Sequence, residues 1–129
     1  MSAPERPAAE AFAFGPFDAT ADATQIAAFA RATGAAGAPF VFPIALMATP
    51  AARAAIADMI GPGFLPVHES QSFEAEAPLA PGVYVLAGTA RRERAPERLT
   101  IEARVTTPPG TTVARLRTAL RLFPTGPTP

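Results

Sequence analysis

The chain has 129 residues, 49% of them apolar, which is enough for one ordinary core and too few for two typical domains. Eleven arginines balance eleven acids, lysine is absent and net charge is zero, so no positive field draws the chain to nucleic acid or anionic lipid. The lack of cysteine excludes disulfides, thiolate nucleophiles and thiolate metal sites.

In chain order, "MSAPERPAAE" has an early acid, two prolines and no apolar run of signal-peptide length. No other stretch is long and apolar enough to span a bilayer, so the expectation is a cytoplasmic protein without membrane attachment. Residues 1–9 and 124–129 are Pro-rich and aperiodic, and both are expected to be disordered around a single domain at 10–123. "EAFAFGPF" alternates Phe12 and Phe14 with small residues and predicts a short strand ending at Gly15-Pro16. "DATADATQIAAFARATG" predicts a helix capped by Asp22 or Thr24, with Ile26, Phe29 and Ala30 at helical spacing and Gly34 as its stop.

The next segment places Ile44, Met47, Ala48, Ala51, Ala55 and Met59 on one stripe. Thr49 as cap and Pro50 as first helical residue split it into a short turn and a longer helix from Pro50 to Ile60, closed by Gly61. The stripe is mostly small, so a sheet can wrap closely around this slim helix.

After Gly63 the period changes to two. "VHESQSFEAEA" puts Val67, Glu69, Gln71, Phe73 and Ala75 on one face and His68, Ser70 and Ser72 on the other. "GVYVLAGTARRERA" and "LTIEARV" are β-rich, and "TTVARLRTALRLF" mirrors the latter across a "PPGT" turn. Pairing Thr107 with Thr112 sets Val105 opposite Ala114, Ala103 opposite Leu116, Leu99 opposite Leu120 and Glu102 opposite Arg117. The fold class is α+β: helices ahead of three or four long antiparallel strands in a meander, with the sheet curled around the central helix in the hotdog arrangement. Such a sheet leaves an edge to be covered by a second copy or a partner subunit.

"FDATADATQIAAFARATG", "LPVHESQSFEAEAPLAPGVYVLAGTARRERA" and "LTIEARVTT" together resemble the N-terminal, hotdog-type half of the MaoC-like dehydratases and hydratases. The family pattern V-H-x-x-Q-x-F, then P-L and a Gly, is met by Val67, His68, Gln71, Phe73, Pro78, Leu79 and Gly82. The resemblance implies handling of 2-enoyl or 3-hydroxyacyl thioesters of coenzyme A or acyl carrier protein, with no cofactor. It also implies chemistry by an acid/base pair, an Asp and a His in a G-D-x-N-P-x-H segment. Here that place reads "TGAAGAPF", Thr33 to Phe40, in which Gly34 matches and Asp, Asn and His are missing. The chain therefore resembles the non-catalytic copy in two-domain members, or the substrate-binding subunit of two-subunit (3R)-hydroxyacyl-ACP dehydratases. That copy shapes the acyl tunnel and pairs with a catalytic hotdog subunit; a homodimer is the other option.

No catalytic residue is expected, and His68 is the one candidate base, read either as a strand-start histidine bonded to backbone or Ser70 or as the base of an active enoyl-CoA hydratase. Asp58 or Glu69 could serve a hotdog thioesterase. Phe40, Val41, Phe42, Gln71 and Phe73 are the candidate acyl-binding residues. Arg91, Arg92, Arg94 and Arg98 cluster at a hairpin end and could hold coenzyme A phosphates or dock an acidic carrier protein, although interleaved Glu93 and Glu97 favour a solvated tip. No metal site is expected. A third reading is a structural or regulatory dimer that binds acyl groups or nothing at all, without an open tunnel between helix and sheet.

Overall fold

The computed structural model describes residues 9–33, 49–75 and 80–126. The first and last residues of the chain lie outside that set, as do Gly34, Ile44, Met47, Ala48, Pro78, Leu79 and all of the "TGAAGAPF" segment after Thr33. So does the short turn expected before Thr49.

Five strands form one antiparallel sheet: β1 Ala9–Ala21, β2 Phe64–Ala75, β3 Gly82–Arg94, β4 Glu97–Thr106 and β5 Thr112–Pro124. Two helices, α1 Ala23–Thr33 and α2 Pro50–Ile60, come between β1 and β2. The strand order is β1-β3-β4-β5-β2. The expected meander holds for β3, β4 and β5, but β2 crosses over to pair with β5 at the far edge. The expected α+β hotdog architecture is the one observed.

One face of the sheet carries the core. Leu86, Ala90, Leu99, Ile101, Ala103, Val105, Ala114, Leu116, Leu120 and Leu122 are all buried there. Directly opposite residues share a face, so the observed pairs Leu99–Leu120, Ala103–Leu116 and Val105–Ala114 stack apolar on apolar, and Glu102 meets Arg117 outside at 3.2 Å. The turn alone differs from the expected register: Thr106, not Thr107, pairs with Thr112 across a bulge. Thr107 closes the turn instead, accepting from Gly110 N–H at 2.8 Å and donating to Thr111 O at 2.9 Å.

β1 does not stop at Gly15-Pro16. A register shift between Phe14 and Phe17 absorbs that dipeptide, and pairing with β3 resumes to Ala21. Gly15 has φ 80°, and a Cβ there would strike the Leu86 carbonyl oxygen, so only glycine lets the strand pass. The α1 cap is Asp22, whose Oδ1 accepts from Gln25 N–H at 2.7 Å. α2 has the expected bounds, with Pro50 in the first turn and Gly61 at its end. Thr49 has an extended cap backbone but makes no side-chain cap bond. The buried stripe of α2 is Ala52, Ala55, Ile56, Met59 and Ile60, so Ala51 is exposed, not inward as expected.

In β2, a register shift between His68 and Ser70 reverses the inward parity. Gln71, Phe73 and Ala75 oppose the core-face positions Thr118, Leu116 and Ala114, and upstream of the bulge His68 and Pro66 oppose Leu120 and Leu122. Val67 therefore does not share a face with Phe73, contrary to unbroken alternation.

Candidate functional site

A recess of about 410 Å³ lies between the C-terminal end of α2 and the core face of the sheet. Its apolar walls are Phe12 on β1, Met59 and Ile60 on α2 and Phe64 at the start of β2. Its polar lining is Glu10, Asp58, Arg92 and Arg94. The recess forms because α2 ends at Gly61, whose φ of 79° turns the chain from the helix into β2.

Arg92 and Arg94 face inward because period two from Leu86 and Ala90 carries them to the core side. Arg92 is only 2% exposed. Its Nη1 donates to Glu97 Oε2 and to the Glu93 carbonyl at 2.9 Å, while the guanidinium lies 4.9 Å from the Phe64 ring centroid. Arg94 Nη2 donates to Glu10 Oε1 at 2.9 Å, and Arg94 Nε is buried with no partner among the described residues. A pair of arginines expected on a solvated tip or around a carrier phosphate is thus folded back into ion pairs. Of that cluster, Arg91 stays outside near Glu93 at 3.8 Å. Arg98 is also outside, held by Glu69 through bonds of 2.8 and 3.1 Å.

The Glu69 ion pair sits on the outer face, away from the recess, and the hydrogen bond from Arg98, with charges on Arg98 and Arg121, holds the Glu69 carboxyl below the usual range. A paired carboxylate of lowered basicity is a poor general base. Asp58, by contrast, is exposed at the rim of the recess. His68 is exposed on β2, and among the described residues its ring has no hydrogen-bond partner, Ser70 included. Gln71 does internal work: Thr118 Oγ1 donates to its Oε1 at 2.7 Å and its Nε2 donates to Arg117 O at 3.2 Å. Phe73 packs half-buried on the core. Phe40, Val41 and Phe42 lie outside the described residues. Among those described, no three His, Asp or Glu residues converge as metal ligands, and no helix is long and apolar enough to cross a membrane.

Glu10, Phe12, Phe64, Met59, Ile60 and the inward role of Arg92 were not anticipated as a site. One signal was available: counting by two from Leu86 reaches Arg92. A second hollow, about 520 Å³, lies on the sheet with Thr89, Glu102, Arg104, Arg115 and Arg117 around it.

No family model matches the chain, and no curated protein matches it. Solved structures do. The C-terminally truncated HadBC (3R-hydroxyacyl-ACP dehydratase) complex from Mycobacterium tuberculosis aligns with a TM-score of 0.58 at 16% identity, covering 85% of this chain and 95% of that one. The (R)-hydratase from A. caviae involved in PHA biosynthesis aligns at 0.51 and 14% identity, covering 94% and 100%. At these identities the likeness is one of fold, the hotdog arrangement.

Proposed function

We propose that this chain is an accessory hotdog subunit that binds the acyl part of enoyl or 3-hydroxyacyl thioesters of coenzyme A or acyl carrier protein. It would act in fatty-acid metabolism beside a catalytic hotdog partner. The observation that carries this reading is the recess between α2 and the core face, walled by Phe12, Met59, Ile60 and Phe64. A structural dimer has no need of such a space, whereas an acyl chain gains about 0.8 kcal/mol for each methylene it buries there. Turnover needs an acid and a base within hydrogen-bond reach of the substrate. The sequence lacks the Asp and His where the resembling enzymes carry them, and the one histidine stands on β2 without a partner among the described residues.

The partner's place is the β2 edge. Leu65 is 56% exposed, Val67 46% and Phe123, opposite Leu65, 48%, and the inward residues Pro66 and His68 are exposed as well. An edge strand open on both faces, with apolar side chains and unpaired backbone groups, fits pairing with another hotdog sheet, a heterodimer or a second copy. The other edge, β1, is interrupted by Gly15-Pro16 and its bulge, which blunts strand addition.

The test is incubation of the purified chain with a series of trans-2-enoyl-CoA substrates, with binding followed by calorimetry and products by mass spectrometry. Binding without hydration is the expected result. Hydration by the chain alone overturns the accessory reading and makes His68 the base; absence of binding at every chain length overturns acyl recognition. One observation favours a thioesterase as second reading, namely Asp58 at the rim of the recess. Release of free thiol that disappears in Asp58→Asn would establish it.

A further inference from the structure

We infer that Arg92 makes the recess select acyl tails that end in an uncharged oxygen, a hydroxyl or a ketone, over methyl-ended tails of the same length. The inference rests on the acyl-binding reading above and specifies its substrate class.

Arg92 presents a guanidinium with 2% exposure on the wall of a recess shared by the apolar Phe12, Met59, Ile60 and Phe64 and the polar Glu10, Asp58 and Arg94. Among the described residues only Nη1 is engaged, by Glu97 and the Glu93 carbonyl. Among the described residues Nε and Nη2 have no acceptor, and the Phe64 ring covers the guanidinium plane without accepting in it. Two donor groups are thus left without an acceptor among the described residues, beside a space large enough for a ligand. A methyl end set against them displaces water and returns no hydrogen bond. A carboxylate or phosphate end meets a different obstacle: Glu10, Asp58 and Glu97 outnumber Arg92 and Arg94 around the recess, so a further negative charge is repelled. An uncharged oxygen satisfies the donors without adding charge. Hydrogen bonds from charged donors discriminate on the order of tenfold or more.

The experiment is calorimetry of the full chain with methyl-ended, ω-hydroxy, ω-keto and ω-carboxy acyl-CoA probes of matched, increasing length. At the length that reaches Arg92, the ω-hydroxy and ω-keto probes are expected to bind about tenfold more tightly than the methyl-ended one, with the ω-carboxy probe weaker than both. In Arg92→Met combined with Glu97→Gln, which leaves no buried charge unpaired, that preference should vanish while methyl-ended binding persists. Equal binding of methyl-ended and oxygenated probes by the natural chain overturns the inference and leaves acyl recognition intact; failure of every probe to bind overturns both. Should the double variant not fold, infrared difference spectra of the bound ω-keto probe decide. A ketone band moved to lower frequency supports the guanidinium bond, and an unmoved band overturns it.

Discussion

Gly88 on β3 is the position at which the sheet tolerates least. It pairs with Ala103 on β4, and a Cβ built on it would collide with the Glu102 carbonyl oxygen and stand 2.7 Å from Ala103 Cα. Both obstacles are backbone, so no side chain can rotate away, and relief requires parting β3 from β4 between the buried pairs Leu86–Val105 and Ala90–Ile101. Overpacking of this kind costs about 1–3 kcal/mol, and an immovable backbone puts Gly88→Ala near the upper end. Loss of glycine's freedom in the unfolded chain offsets about 0.4–1 kcal/mol. A net destabilisation of about 2 kcal/mol remains, a fall in Tm of about 6–12 °C for a domain of this size. Urea titration followed by circular dichroism measures it, with an unchanged m-value showing that the same surface unfolds. Trimming the partner, Ala103→Gly, should not rescue the variant, because the Cα and the neighbouring carbonyl stay in place. A loss below about 0.5 kcal/mol, or rescue by Ala103→Gly, would refute the close approach of these two strands.

Leu99→Ala removes a fully buried side chain facing Leu120 and should cost about 2–5 kcal/mol in the same titration. The exposed Glu102–Arg117 pair is worth far less, about 0.2–1 kcal/mol in a double-mutant cycle, shrinking with added salt. Glu69 has its carboxyl pKa lowered by Arg98, so its contribution is complete above the unfolded-state glutamate value and is lost as pH falls through the lower folded value. Glu69→Gln should accordingly flatten the acid limb of a stability-versus-pH curve in that window, and an identical limb would count against the ion pair. His68→Ala should move monomer stability by no more than about 0.5 kcal/mol, because the ring is exposed. Val67→Lys should weaken association in sedimentation velocity with the melting curve of the monomer unchanged.

The β4–β5 hairpin was legible in the sequence because its alternation is unbroken: Leu99, Ile101, Ala103 and Val105 admit one register against Ala114, Leu116 and Leu120, and Glu102 opposite Arg117 fixes the outer face. β2 was not, since an extra residue near Glu69 leaves no mark on composition yet reverses which of Val67 and His68 points inward. α2 was found to the residue at both ends from Pro50 and Gly61, and Ala55 and Met59 lie on its packed stripe as expected, but Ala52 takes the inward place expected of Ala51. In an alanine-rich helix, hydrophobicity does not distinguish Ala51 from Ala52, and tertiary packing decides. The site failed for a related reason. "RRERAPER" reads as a hydrated tip by composition, while strand parity, running without a break from Leu86, turns Arg92 into the core.

That inward arginine is costly in a way the outer ones are not. Outside, Arg98 and Arg121 lie directly opposite each other, and Glu69, reaching from β2 and bonded to Arg98, offsets part of their repulsion in contact with solvent. Inside, Arg92 and Glu97 give up most of their hydration, and their attraction only roughly repays that loss; apolar residues of similar volume would stabilise the fold as well or better by about 1–4 kcal/mol. Fold stability therefore gives no reason for a charged pair at this place. On the acyl-binding reading proposed above, the use of the pair lies in the recess, where Arg92 contributes what Leu or Met cannot: fixed donors beside the apolar walls of Phe12, Met59, Ile60 and Phe64.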